Sequence, residues 1–288
     1  MRHIGGRGFT LVELVVTVAL LAIMSAVAAV FIVGPVQGYF AAQGRAELTD
    51  VADTALRRLA RDVRGALPNS VRTTAVGSTT YLELLATRTG GRYRAELKDA
   101  PSVGEDPLDF AAADAQFDTI GRLSTVAGQT VAAGDRVVIH NLGISGADAY
   151  AGDNSATVGT FTANGGPAGD EDRIALGAAK LFPLESPGRR FQVVSGPVTY
   201  ECAAGAAVNG DGTGQLRRVA NYSITAAQPT GAYGGAAVNV LANYVTACTI
   251  EYTLLPLQAR GLVAVRLELT RAGETVFLYH EAHVSNVP

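Results

Sequence analysis

Gly8-Phe9-Thr10-Leu11-Val12-Glu13 runs directly into Leu14 to Val33, LVVTVALLAIMSAVAAVFIV, and these residues decide the architecture. The second stretch holds twenty residues without a charge. As a helix rising about 1.5 Å per residue it spans about 30 Å, the thickness of a bilayer core. Thr17 and Ser25 are tolerable in it, because a hydroxyl bonds back to the helix carbonyls. A buried core helix of a soluble domain is the competing reading. Such helices rarely stay uncharged and apolar on every face for so long. The pattern therefore predicts a transmembrane helix.

Arg2, His3 and Arg7 precede the apolar run, with no acid among them. Positive flanks stay cytoplasmic, so the remainder of the chain is expected to be exported. A secretory signal peptide would have a shorter apolar core and a small-residue cleavage site after it. Here an amphipathic pattern follows directly, so the segment is read as retained. Glu13 breaks the pattern. An ionised side chain at the centre of a membrane helix costs about 2.5–3.5 kcal/mol on insertion scales. Arg7 is six residues away, a poor helical spacing for pairing. Glu13 thus needs a partner or a function.

The rest of the composition narrows the classes. Of 288 residues, 48% are apolar and 17% charged, which excludes a disordered chain. A net charge of −3 gives no reason to expect a nucleic-acid partner. Two cysteines cannot build a disulfide-rich scaffold or a four-cysteine zinc site.

Gly8-Phe9-Thr10-Leu11-Val12-Glu13, the basic leader and the apolar run occur together in order. In this the chain resembles the type IV pilins and type II secretion pseudopilins. The resemblance implies that a prepilin peptidase cuts between Gly8 and Phe9 and methylates the new amine of Phe9. It further implies that Glu13 pairs with the terminal amine of a neighbouring subunit. The physics agrees, since cleavage creates at Phe9 the cation that Glu13 lacks. Removing Arg2 and Arg7 leaves 21 basic against 26 acidic residues, a charge of −5.

Gly34-Pro35 follows, where Pro35 cannot donate to the carbonyl of Phe31; a kink or a short unwound section is expected. Leu48, Ala52, Ala55, Leu59, Val63 and Leu67 then recur at helical spacing. Glu47, Asp50, Asp53, Arg57, Arg58, Arg61 and Arg64 fall on the other face and read as solvated. Ala66-Leu67-Pro68-Asn69 ends the helix. Only its second half is expected to dock on a soluble domain.

Beyond Asn69 the period becomes two. Thr249 to Leu254 alternates, and Val263, Val265, Leu267 and Leu269 share a face opposite Arg266 and Glu268. Arg271-Ala272-Gly273-Glu274 turns the chain into Thr275 to Val284 as a β-hairpin. Further strands are expected at Tyr81–Thr87, Arg92–Leu97, Arg136–Asn141, Phe191–Glu201 and Leu216–Ile224. Gly143–Asn154, Ala163–Asp172 and Ala203–Gly214 read as long loops. Cys202 ends one strand and Cys248 starts another. Export to an oxidising space permits a bridge between them, with a pair of free thiols as the alternative.

The chain from Gly261 to Pro288, closing on Tyr279-His280-Glu281-Ala282-His283-Val284-Ser285-Asn286-Val287-Pro288, is similar to the mannose-sensitive haemagglutinin (MSHA) pilus biogenesis O family. Gly34 to Tyr39 and Ala55 to Asp62 share that likeness. The family consists of minor pilin-like subunits similar to the minor pseudopilin J of type II secretion.

Three motifs touch on metal chemistry. His280-Glu281-Ala282-His283 is one residue short of the zinc motif His-Glu-x-x-His, and on a strand the two histidines point to opposite faces. Asn209-Gly210-Asp211-Gly212-Thr213-Gly214 is like half a calcium loop, but Ala220 stands where the twelfth-position Glu belongs. Asn209 and Asp211 remain weak calcium candidates, with a Gly-rich turn preferred. Asp170-Glu171-Asp172 reads as a solvated loop, with a cation site as the alternative. No Gly-x-Ser-x-Gly or phosphate loop is present, so an enzyme is disfavoured and no cofactor or metal is expected.

The expected fold class is α+β, a long N-terminal helix packed on a β-rich domain. The boundaries are a leader at 1–8, a transmembrane helix at 9–34, an amphipathic stem at 35–67 and a periplasmic domain at 68–288. The expected function is a minor pilin or pseudopilin, anchored in the inner membrane, that helps start filament assembly at or near the tip. Its partners would be prepilin peptidase, sibling subunits and inner-membrane lipid. Alternatives are a J-like secretion pseudopilin, an adhesin or binding module on a pilin stem, and a membrane-anchored hydrolase.

Overall fold

The computed structural model describes residues 8–97, 104–166, 170–255 and 260–288. Arg2, His3 and Arg7, which the sequence assigns to an expected leader, lie outside them.

One helix, α1 (Leu11–Arg64), dominates the N-terminal fifth of the chain. Its 54 residues make it about 81 Å long. It runs through Pro35 without interruption, so the unwound section expected there is absent. A proline removes a single ladder bond, and the helix-compatible turns on both sides carry the element past it. Every residue from Leu11 to Phe40 is exposed, whereas Leu48, Ala52, Ala55, Leu56, Leu59, Ala60 and Val63 are buried. The apolar spacing of the second half thus becomes a docked stripe, each buried leucine contributing about 1.5–3 kcal/mol. Glu47, Asp50, Arg57, Arg58, Arg61 and Arg64 face solvent, as their spacing predicts. The helix stops at Gly65, whose amide donates to Arg61 O at 3.1 Å; Leu67 then bonds Leu85 O and enters the sheet region.

The remainder is antiparallel β structure. In chain order it comprises β1 (Arg72–Val76), β2 (Thr79–Arg92), β3 (Asp114–Asp118), β4 (Arg136–Ile139), β5 (Ser155–Thr162), β6 (Arg173–Lys180) and β7 (Arg190–Ala203). It continues with β8 (Ala207–Val208), β9 (Asp211–Gly212), β10 (Gly214–Ala220), β11 (Ala237–Leu255), β12 (Arg260–Arg271) and β13 (Glu274–Ser285). Strands β8 and β9 form a miniature hairpin; the others form one sheet ordered β13-β12-β11-β10-β7-β4-β5-β6-β3, with β2 on the other side of β7 and β1 beside β2.

Strand β7 is the spine. Its C-terminal half pairs with β10, its N-terminal half with β4, and β2 follows it over its full length. The sheet therefore divides into two lobes, each with its own core. One core joins the docked half of α1 to inward residues of β2, β7 and β10 to β13. The other joins Phe117, Val137, Ile139, Ile174, Phe182, Phe191 and Val193 with no helix. Strand β12 buries Val263, Val265, Leu267 and Leu269 on the face assigned by alternation.

Some sequence expectations fail for local reasons. Arg92–Leu97 is not a strand. Only Tyr93 makes an isolated bridge, and Arg94 N bonds Asp118 O while Arg94 O accepts from Leu108 N, so the segment changes partners at successive residues. The strand expected at Leu216–Ile224 stops at Ala220, because Asn221 turns to φ 62°. Ala203–Gly214 is not all loop but contains β8 and β9. Cys248 lies inside β11 rather than at its start. Asp170-Glu171-Asp172 is not solvated throughout: Glu171 and Asp172 are buried. Asp172 accepts from the amides of Leu123 and Asn164, and Glu171 pairs with Arg94.

Candidate assembly site

The site begins where the helix begins. Gly8 and Phe9 are exposed and precede the first turn. Thr10 is the N-cap in extended conformation, and its Oγ1 accepts the amide of Glu13 at 3.3 Å. Glu13 stands at the third helical position, so Thr10-Leu11-Val12-Glu13 has the spacing of a capping box. A Thr with a Glu three residues on is a helix-start signal, which the apolar run beside it overshadowed in the sequence. Glu13 is the acid of the first turn, where the helix dipole favours negative charge. The backbone thus provides part of the compensation that a carboxylate at the entry of an apolar segment requires. Thr17 bonds back to the carbonyls of Glu13 and Leu14 at 2.9 Å, which hides its hydroxyl from an apolar surrounding.

From Leu11 the apolar face is unpartnered all round. The most hydropathic window of α1 has mean hydropathy 2.8 and no buried residue. Phe9, Leu11, Val12, Leu20, Met24, Val30 and Phe31 are each more than half exposed. Exposed apolar surface of this extent calls for lipid or other helices around it. Tyr39 and Phe40 stack edge-on, 5.8 Å apart, near the end of that zone. Aromatic rings at this level suit a membrane interface.

The docked half holds the exposed half in place. Asp62 points from α1 at the sheet. Its Oδ2 accepts from Tyr200 Oη at 2.8 Å and from Arg218 Nε at 2.7 Å. Arg58 approaches Oδ1 from the previous turn at 3.6 Å. Burial, with the Asp62 charge beside it, pushes the Tyr200 hydroxyl well above the ordinary tyrosine value. Higher along the stem, Arg45 pairs with Glu274 at 2.7 Å on the β12–β13 turn. Sequence reading passed over both pins. Asp62 lies three residues after Leu59, so the edge of the apolar stripe was its one signal.

Cys202 and Cys248 form a disulfide, with Cα atoms 6.2 Å apart. It ties β7 to β11 inside the helix-bearing lobe. The remaining sequence candidates have structural surroundings. Asn209 and Gly210 form the turn between β8 and β9, with φ 52° and 88°. Asp211 Oδ1 accepts the amide of Ala272 at 2.7 Å, and Gly273 N bonds Gly210 O at 2.9 Å. That loop thereby buttresses the β12–β13 turn. His280 faces the inner side of the edge strand β13 and His283 the outer side, so they do not converge. Among the described residues no group of three His, Cys, Asp or Glu side chains is placed to hold a metal ion.

A family model, the prokaryotic N-terminal methylation motif, matches residues 6–29. No curated protein and no solved structure matches the chain. The matched residues span Gly8, Phe9 and Glu13 and most of the exposed apolar run. Such a motif implies processing by prepilin peptidase and assembly with other pilin subunits. Displayed on a membrane-capable helix that carries an antiparallel β domain, it supports placing this chain with the type IV pilins and pseudopilins.

Proposed function

We propose that the protein is a minor pilin or pseudopilin that assembles with sibling subunits at or near the tip of an MSHA-type filament and helps initiate it. In this reading residues 1–8 are a leader, cut between Gly8 and Phe9, and Phe9 becomes N-methylated. Residues 9–34 cross the inner membrane, 35–67 form the stem, and 68–288 lie in the periplasm. Glu13 pairs with the methylated amine of Phe9 on an adjacent chain. The observation that carries the reading is the division of α1. One half is docked and pinned through Asp62, and the other half presents an apolar cylinder with Glu13 at its tip. A shape of this kind packs against copies of itself or its siblings, as subunits in a helical bundle do. The motif belongs to structural filament subunits rather than to enzymes, and the β domain serves as the part displayed. The likeness of Gly261 to Pro288 to the MSHA biogenesis O family supports the MSHA assignment, with a J-like secretion role as the alternative.

The experiment compares cells with and without prepilin peptidase. The mature chain should begin at methylated Phe9 when the peptidase is present, and Gly8→Val should block the cut. Glu13→Val should leave insertion and cleavage intact, because it makes the helix more apolar and leaves the Gly8-Phe9 bond untouched. Cross-linking to siblings and filament number should fall. Glu13→Gln separates charge from shape. Normal cross-linking and normal filament number in the valine variant would overturn the pairing role.

A further inference from the structure

Strand β7 forks. On one edge β10 covers Val198 to Ala203 and β4 covers Phe191 to Val194. Ser195, Gly196 and Pro197 between them have no ladder partner on that edge. The opposite edge bulges at the same point, where pairing with β2 shifts register between Ala86 and Thr87. Gly196 takes φ 134°, a conformation open to glycine alone. Bulges of this kind re-aim side chains and gather beside functional sites.

A cleft of about 250 Å³ opens at the fork. Arg136, Thr157, Ser195, Tyr222 and Ser223 line it with the Gly196 backbone. Arg136 is half-buried. Its Nη2 donates to Ser155 Oγ at 2.9 Å, while Nε is buried without a partner. No carboxylate lies within ion-pair reach of it among the described residues. Six other partly buried arginines, Arg72, Arg88, Arg94, Arg173, Arg217 and Arg218, each hold one. Burial alone pushes the Arg136 guanidinium below the ordinary arginine value. A desolvated cation without a counter-ion is costly, and the remaining arginines show how this fold ordinarily meets that cost.

We propose that the cleft at the fork binds a sugar acid, its carboxylate on Arg136 and its hydroxyls against Thr157, Ser195 and Ser223. One guanidinium balances one negative charge and matches the planar carboxylate. A dianionic phosphate would require a second cation, which the lining does not supply. The volume lies below the roughly 300–1,000 Å³ of drug-sized sites, so it accepts about one saccharide ring. The ring could arrive free or as the uronate unit of an acidic polysaccharide. The site does not depend on how the stem assembles.

The test titrates the full chain in detergent with sodium glucuronate, against glucose and sodium chloride as controls. Ligand-dependent thermal stabilisation and NMR shifts of arginine Nε–H are the readouts. Glucuronate should act saturably and glucose should not. Arg136→Gln should weaken binding at least about tenfold, with Arg136→Lys in between. An oligouronide that binds more tightly than glucuronate identifies the polysaccharide as the source; equal affinity identifies the free acid. If Arg136→Gln fails to fold, Thr157→Val and Ser223→Ala decide, and both should weaken glucuronate. The proposal is overturned if glucose binds equally or if no saturable response occurs up to about 50 mM. Unchanged affinity in Arg136→Gln, or in both hydroxyl variants where that chain does not fold, overturns it equally.

Discussion

Asp62 is a single carboxylate that accepts from Tyr200 and Arg218 and couples a membrane-capable helix to a folded domain. The side chains of Asp62 and Arg218 are only 14% and 16% exposed, so solvent screens the pair weakly. Asp62→Asn keeps the shape and removes the charge, leaving Arg218 without its counter-ion. The expected loss is about 2–3 kcal/mol. Tyr200→Phe removes one hydrogen bond and should cost about 1 kcal/mol. Urea unfolding of the purified chain checks both, and an Asp62→Asn midpoint equal to that of the native protein would sink the argument. At this scale the sequence was uneven in what it disclosed. Glu13 stood out because everything around it is apolar. Asp62 did not, because it lies among Arg57, Arg58 and Arg61 and looks like one more solvated charge. Which edge of a helix meets a polar group on a sheet depends on tertiary register, and no local pattern encodes that.

Among the elements, β7 and β11 are joined by Cys202–Cys248 across 46 residues of sequence. Chain-entropy arguments give such a bridge about 4 kcal/mol. Replacing both cysteines by serine should lower stability by about that amount, read as the shift in urea midpoint; a change below about 1 kcal/mol would contradict it. The strands that carry strong alternation, β12 and β13, and the turn between them were legible throughout. Ala272 and Gly273 take φ 51° and 79°, the paired left-handed conformation that a two-residue hairpin demands. The docked stripe of α1 was equally legible, because a 3.6-residue period has few other readings. Strands β1, β3, β5 and β6 were not. Ser155-Ala156-Thr157-Val158-Gly159 and Leu176-Gly177-Ala178-Ala179 are rich in small residues, which signal turns as readily as strands. They become strands because their neighbours in the second core, Val137, Ile139 and Phe117, supply the bulk they lack. The fork of β7 was hidden for a related reason, since two different strands sharing one edge leave no trace in the spacing of either.

At the scale of the whole molecule, burial acts on the tyrosines together. Tyr93, Tyr150, Tyr200, Tyr222, Tyr233 and Tyr252 all have hydroxyls pushed up, chiefly by burial, with Tyr233 reaching about 12. The unfolded chain releases these protons near pH 10, while the folded chain retains them to higher pH. The unfolded state then binds fewer protons, so stability falls as pH rises above about 10 and is unaffected by these groups below it. Absorbance of phenolate during an alkaline titration should show most tyrosines ionising together with unfolding. Smooth, independent ionisation below pH 11 would contradict this. The disulfide has a further consequence when the molecule bears a load. When the chain is stretched from its N-terminal helix to its C-terminal strand, the bridge removes 46 residues from the path of that force. At about 3.4 Å per extended residue, the oxidised chain has a contour length about 150 Å shorter than the reduced one. Single-molecule stretching with and without reductant should reveal that difference, which makes this chain a tether whose maximum reach is set by its redox state.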